Sequence, residues 1–412
     1  MKAQSPVELL AQKETKNPQT NFSLATKLGW VSFFNDCSSE AIARTLPLLL
    51  TASLGASPTF LGTVEGLAET VSILLKGFSG WLSDRMQSRK PLVVLGYGFS
   101  LISRFLLAGT YITPTLVGFA RVFDRTGKGL RSAPRDAMVA DAVVAGNAGR
   151  DFGITRFLDT LGAVTGLSLI YFLEIGNGAL DRVVFQKIVW MALPFGLISL
   201  LLILFWVPRI PREIKSKKYL SVHIPQKVRV YLAIVFVFAL GNSSDAFLVL
   251  KAREIGMKFS EILALLIGFN LVAALLAIPV GKLSDKFGRF RFLAMGWLVY
   301  ALAYFCIART ESAILFSFSM LFYGAFYGFT EGIEKAILSD LLPAQERGAG
   351  YGAIQLILGL AALPASLLTG FLMTHYGSRF AFTVCGGLAL FGTLALLFWQ
   401  FSKQKFNNLR FK

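Results

Sequence analysis

About twelve apolar windows, each near the roughly 20 residues that a helix needs to cross a hydrocarbon layer, recur along this chain. They begin near Gly29, Phe60, Leu92, Pro114, Gly153, Val183, Val230, Ile262, Phe292, Ala313, Gly350 and Phe380. A water-soluble core cannot absorb so many continuous runs. The composition agrees: 54% of residues are hydrophobic and 16% charged, against about 45–50% and about 25% in soluble domains, and the mean hydropathy is +0.60. A transmembrane β-barrel is excluded, because its strands alternate apolar and polar residues whereas these runs are unbroken. The expected fold class is an all-α integral membrane protein of about twelve spans, which the 412 residues accommodate with room for loops.

The chain carries 41 Lys and Arg against 24 Asp and Glu, a formal charge of +17. In a soluble protein this surplus would suggest nucleic acid; between membrane spans it marks cytoplasmic loops, and no nucleic-acid partner is expected. Basic residues crowd the N-terminal tail, Arg85–Lys90, Arg209–Arg229, Lys282–Arg291 and the tail from Lys403. Those segments are assigned to the cytoplasm, although Lys251, Arg253 and Lys258 are an exception on the opposite side. The location this implies is a membrane crossed many times, with both termini on its cytoplasmic side. The tail 1–28 contains no short apolar core with a small-residue cleavage site, so the first span is expected to remain as an anchor.

The basic, proline-containing stretch 208–229 divides the chain into halves, 29–207 and 230–402, with a terminal tail at 403–412. The halves repeat. Gly80-Trp81-Leu82-Ser83-Asp84-Arg85 returns as Gly281-Lys282-Leu283-Ser284-Asp285-Lys286, each after a second span, about 200 residues apart. Arg135 to Asp141 aligns with Glu334 to Asp340, and Ser38-Ser39-Glu40 loosely with Ser243-Ser244-Asp245.

With these motifs the chain resembles the major facilitator superfamily over essentially its whole length. The loop pattern G-x-L-x-D-R-x-x-x-R-K is met by Gly80 to Lys90, and the family's fourth-span Arg followed by close glycines by Arg121 to Gly129. The continuation Leu130-Arg131-Ser132-Ala133-Pro134-Arg135-Asp136-Ala137 is similar to that of a bacterial subgroup. The antiporter run on the fifth span is only partly present, as Gly162-Ala163-Val164-Thr165-Gly166-Leu167 without a closing Pro. The resemblance implies two pseudo-symmetric six-helix bundles and a cytoplasmic interlock: Asp84, Arg85, Arg89 and Asp141 in one half, Asp285, Lys286, Arg289 and Asp340 in the other.

A charge at mid-membrane costs about 2.5–3.5 kcal/mol on insertion scales, so buried charges must face a cavity or one another. Asp36, Glu40 and Arg44 recur every four residues and share one helix face, as do Glu65 and Glu69. The fourth span carries Arg121, Asp124, Arg125 and Lys128 at depth, while Arg135 and Asp136 approach the cytoplasmic interface and, with Arg131, read as gate or scaffold and stand apart from the candidates; Arg156 and Asp159 offer a further pair on the fifth span. The C-terminal half contributes Asn242, Asp245, Tyr323, Tyr327, Glu331 and Glu334. These residues are the candidates for substrate binding or proton coupling, and ion pairs that only hold helices together are the competing explanation for each group. His223 and His375, the chain's two histidines, fall in a loop and near a span end, which leaves coupling to carboxylates.

The expected activity is secondary transport of a small solute by alternating access, driven most simply by protons. The basic fourth span favours an organic anion, a carboxylate metabolite or a siderophore-like chelate, because Arg binds carboxylate bidentately. The alternatives are proton-driven export of amphipathic compounds and a non-transporting scaffold or sensor. Gly127-Lys128-Gly129 is no nucleotide loop, and no Ser/His, Cys/His or metal-ligand constellation occurs; Cys37, Cys306 and Cys385 lie inside apolar runs. No enzyme activity, cofactor or metal is therefore expected, the bilayer is the surrounding partner, and a monomer is the default.

Overall fold

A segment without water must satisfy its own backbone hydrogen bonds, and a helix does so within itself. The chain is accordingly almost wholly helical in the computed structural model, which describes residues 23–109, 111–142, 148–174, 180–210, 226–341 and 347–409. The helices are α1 Leu24–Leu48, α2 Pro58–Asp84, α3 Lys90–Ala108, α4 Pro114–Ala142, α5 Ala148–Glu174, α6 Arg182–Leu201, α7 Gln226–Gly241, α8 Ala246–Glu254, α9 Phe259–Phe287, α10 Arg289–Arg309, α11 Ala313–Leu341 and α12 Arg347–Leu409. Short π-helical turns, Leu49–Ser53 and Leu202–Trp206, extend α1 and α6. α12 comprises two helices meeting at Gly377, whose φ of 80° interrupts the helical path.

Seven described stretches are long and apolar enough to cross a membrane: Lys90–Ala108, Arg182–Trp206, Gln226–Glu254, Phe259–Leu276, Arg289–Arg309, Ala313–Thr330 and Gln355–Phe401. The remaining long helices, α1, α2, α4 and α5, are of similar length and are those into which the sequence inserts charge. Helix boundaries follow local chemistry. Asp181 caps α6 by accepting the Val184 N–H at 2.7 Å. α9 gives way to α10 at a single residue, Gly288, whose φ of 105° is a conformation that side-chain-bearing residues rarely adopt.

The chain divides into two compact units. The first comprises Met1–Leu46, Val71–Leu173 and Asp181–Lys218. Its apolar core includes Leu28, Val31, Val93, Tyr97, Met138 and Ile203. α3 and α4 touch backbone to backbone where Gly96 faces Gly127; a Cβ on Gly96 would lie 2.6 Å from both Gly127 O and the Arg131 Cβ. That approach seats the charged helix α4 firmly, through van der Waals contact between small residues rather than through the hydrophobic effect.

The second unit comprises Pro47–Thr70, Glu174–Leu180 and Tyr219–Lys412. The first half of α2 belongs here and lies on α12: the Thr59 and Thr374 hydroxyls meet at 2.8 Å, and the Thr70 hydroxyl donates to Gly359 O at 2.8 Å. Its interior is aromatic, with Phe238 stacked on Trp297 at 4.2 Å between ring centroids and Tyr300 on Tyr304 at 4.1 Å. The helix is interrupted between α7 and α8 at Asn242–Ser244. The break exposes carbonyls that have lost their helical partners, and the Tyr300 hydroxyl donates to one of them, Gly241 O, at 2.7 Å.

Candidate functional site

The four-residue spacing on α1 places Asp36, Ser39, Glu40 and Ala43 on one helical face. In the first unit that face lines a recess together with Arg121, Asp124, Arg125, Lys128 and Arg131 of α4. The recess continues past Arg121 and Asp124 towards Ile42, Leu46, Ser103, Arg104 and Leu107. Charges spaced by three and four along α4 thus meet charges spaced by four along α1, as helix periodicity requires.

Three of these charges have well-defined partners. Glu40 accepts from Arg44 Nε at 3.1 Å, and Asp36 accepts from the Asn35 amide at 3.0 Å. Arg131 donates to the Ser100 hydroxyl at 2.7 Å and stacks over the Tyr97 ring, 4.8 Å from its centroid. Asp124 shares one part of the recess with Arg104 and Arg121 and the other with Arg121, Arg125 and Arg131. Its Oδ1 is buried without a hydrogen-bond partner among the described residues. Arg121 itself is 6% exposed. A cluster of buried guanidiniums around carboxylates can take up an anion bidentately or pass a proton between carboxylates.

A second network lies nearer the end of α4. Arg135 bridges Asp136 and Asp159, each at 3.2 Å, and also donates to the Ser32 hydroxyl. Asp159, anticipated as a partner of Arg156, is thus engaged by Arg135; the Arg156 side chain lies outside the described residues.

Within the second unit, Asp245 sits at the break between α7 and α8 and receives the Tyr323 hydroxyl at 2.9 Å and the Tyr327 hydroxyl at 3.4 Å. Asn242 belongs to the same break, its N–H donating to Ala239 O at 3.1 Å. Buried Glu65 accepts from the Ser244 hydroxyl at 3.4 Å, whereas Glu69 on the same helix is exposed. Glu334 is half-buried, and the Glu331 side chain lies outside the described residues.

The repeated loops share one local device: the Ser83 hydroxyl donates to Gly80 O, and the Ser284 hydroxyl to Gly281 O, both at 2.8 Å. In the first loop Arg89 bridges Asp84 at 2.9 Å and Asp141 at 3.0 Å, while Arg85 stacks on Trp81 at 3.8 Å. In the second, Arg289 turns back onto Asp285 at 2.9 Å, and Lys286 stands 5.4 Å from the Phe287 ring. The Asp340 side chain lies outside the described residues.

Sequence reasoning passed over Arg104, which is 2% exposed. The signal was there: it is the single charged residue beyond the first turn of α3. It was overlooked because no second charge stands at helical spacing from it. Arg131, read from the sequence as gate or scaffold, lines the recess.

A family model described as the Major Facilitator Superfamily matches residues 28–229 and 230–409. An uncharacterized MFS-type transporter of Methanocaldococcus jannaschii is 34% identical over 94% of this chain and 97% of its own length. A cis,cis-muconate transport protein of Acinetobacter baylyi is 29% identical over 32% of each chain. Among solved structures, a mutant of the nucleoside transporter NupG superposes with a TM-score of 0.78 at 13% identity, covering 92% of this chain and all of that one, which establishes likeness of fold.

Proposed function

Because the chain belongs to the Major Facilitator Superfamily, and is thus a multi-pass membrane transporter, we propose that it moves a small organic anion by alternating access, coupled to protons. One observation carries this reading: in the first unit, four cations of α4, Arg121, Arg125, Lys128 and Arg131, line a recess that also holds Asp36, Glu40 and Asp124. Arg121 and Arg131 are buried and Arg125 is half-buried, and guanidiniums lining a recess bind a carboxylate bidentately. A carboxylate-bearing solute is the class such a lining takes up, and the acids beside it are available to exchange a proton when it arrives or leaves. The partial likeness to a muconate carrier supports the same substrate class.

In this reading residues 29–207 and 230–402 are the two moving halves, with 208–229 and both termini on the cytoplasmic side of a bacterial inner membrane, and the protein acts as a monomer. Asp84, Arg85, Arg89 and Asp141 close the cytoplasmic side when the cavity faces out, and Asp285, Lys286, Arg289 and Asp340 mirror them in the same state. Asp245 with Tyr323 and Tyr327 serves as a second coupling carboxylate.

The three acids of the recess also favour a second reading, export of cationic amphipathic compounds. Proteoliposomes separate the two. Under an imposed pH gradient, accumulation of a labelled carboxylate that a protonophore abolishes supports anion transport; accumulation of a lipophilic cation alone replaces it with the exporter.

A further inference from the structure

The hydrogen bonds around Asn35 run in one direction. Arg104 Nη2 donates to Asn35 Oδ1 at 2.9 Å and to Asn35 O at 3.3 Å, and Asn35 Nδ2 donates to Asp36 Oδ1 at 3.0 Å. A guanidinium carries donors and no acceptor, so the amide oxygen must face Arg104 and the amide nitrogen is left to face the carboxylate. An amide free to turn could equally present its oxygen to Asp36; Arg104 removes that choice.

Arg104 is itself firmly held. Arg104 and Asn35 are each 2% exposed. Gly196 of α6 leaves the slot that the guanidinium fills, since an added Cβ there would collide with Arg104 Nη1. The helices beside the slot are tied together: the Ser38 hydroxyl donates to Ala192 O at 2.6 Å and the Ser199 hydroxyl to Val31 O at 2.8 Å, so α1 and α6 are bonded on either side of Asn35 and Gly196 along the two helices. Next to Arg104, the Ser103 hydroxyl donates to Ala120 O at 2.7 Å and joins α3 to α4. A side chain whose own conformation is locked by packing can hold a functional neighbour in one geometry. That neighbour, half-buried Asp36, lines the recess with Glu40 of α1 and with Arg121, Asp124, Arg125, Lys128 and Arg131 of α4.

We propose that Arg104 and Asn35 are positioning residues for Asp36: Arg104 sets the orientation of the Asn35 amide, and the amide holds the Asp36 carboxyl on the recess wall for proton exchange. This rests on the reading, given above, of the recess acids as proton carriers. Neither residue carries the proton itself, because an amide does not titrate and the guanidinium stays charged. Their part is to give the carboxyl one fixed donor each time it loses or regains a proton.

The test is infrared difference spectroscopy of the purified full chain in detergent, a measurement that needs no transported solute. The protonated Asp36 carboxyl is identified as the C=O stretch that appears when the unsubstituted protein is acidified and that is missing from Asp36→Asn. Asn35→Leu, similar in volume but without the amide, shifts this band to higher wavenumber, as a carboxyl C=O does when it loses a hydrogen-bond donor. Arg104→Met, which leaves the amide free to turn, displaces the band as well, whereas Arg104→Lys, which still donates, keeps it in place. In the double variant Asn35→Leu/Arg104→Met the band lies where Asn35→Leu alone puts it, because without the amide Arg104 has no route to the carboxyl.

An unmoved band in Asn35→Leu overturns the proposal and leaves proton coupling by the recess acids standing. A further displacement in the double variant shows Arg104 acting on Asp36 by its field alone, and overturns the relay through the amide. Absence of an Asp36 band at every pH at which circular dichroism shows the fold intact removes Asp36 as a proton carrier, so that the coupling reading beneath falls with the proposal. If either single variant does not fold, Gly196→Ala, which displaces the guanidinium while leaving Arg104 and Asn35 in the sequence, decides the point: it must move the band that Arg104→Lys keeps, and an unmoved band overturns the positioning role.

Discussion

The two units solve the problem of polarity inside a membrane protein in opposite ways. The first gathers full charges of both signs along one recess, with Arg104, Arg121, Arg125, Lys128 and Arg131 beside Asp36, Glu40 and Asp124; of these Arg104, Arg121 and Arg131 are buried. The second surrounds one carboxylate, Asp245, with phenols: Tyr323 and Tyr327 donate to it, and Tyr300 satisfies the broken helix nearby. A guanidinium cluster gives long-range field and strong anion affinity; a phenol cluster gives short hydrogen bonds without net charge. The repeated loops thus keep one local hydrogen bond while the two interiors differ, and in the function proposed above solute recognition belongs to the first unit.

That contrast can be broken by substitution. The largest expected effect is that of Arg121→Ala, which lowers transport at least about 100-fold by removing a charge-assisted contact worth about 3 kcal/mol, with a circular-dichroism melt showing that the fold persists. Asp245→Asn in the second unit is expected to reduce proton-driven uptake by about ten-fold while leaving anion binding in calorimetry unchanged; equal loss of binding would merge the two sites and end the contrast.

Smaller effects sharpen it. Asp84→Asn removes one partner of Arg89, and because Asp84 is half exposed the pair contributes about 1 kcal/mol or less. The turnover rate in proteoliposomes should fall about three- to five-fold with KM unchanged, whereas Asp285→Asn, whose ion pair with Arg289 stays within one turn of its own loop, should change it less. Least of all, Tyr300→Phe leaves Gly241 O without its phenol and should cost about 1–2 kcal/mol of stability in a denaturant titration, with transport retained.

Much of this was legible in the sequence, for physical reasons that differ by residue. Helix periodicity alone brings Asp36 and Glu40 to one face, and the fourth-span charges, expensive anywhere else, had to meet them. The repeated Gly-x-Leu-Ser-Asp loops carry a local hydrogen bond that depends only on neighbouring residues, so their likeness in sequence became likeness in structure. The missing parts depend on tertiary packing. Nothing local marks Gly196 as the slot for Arg104, because the two residues are 92 positions apart and meet only when α3 packs against α6. Arg135 of α4 takes Asp159 of α5, a contact between two helices, whereas sequence proximity favoured Arg156. Nor does the run from Gln226 to Glu254 announce that it breaks at Asn242; its apolar content reads as one continuous span.

The most direct measurement is thermal unfolding of the detergent-solubilised protein with succinate and, separately, with a lipophilic cation, in the unsubstituted chain and in Arg121→Ala. A ligand present at about 100 times its Kd stabilises the folded state by about 2.7 kcal/mol. The account predicts a rise in Tm with the anion that Arg121→Ala abolishes, and no rise with the cation. A rise with the cation alone, unaffected by Arg121→Ala, would contradict it and make the carboxylates the binding site.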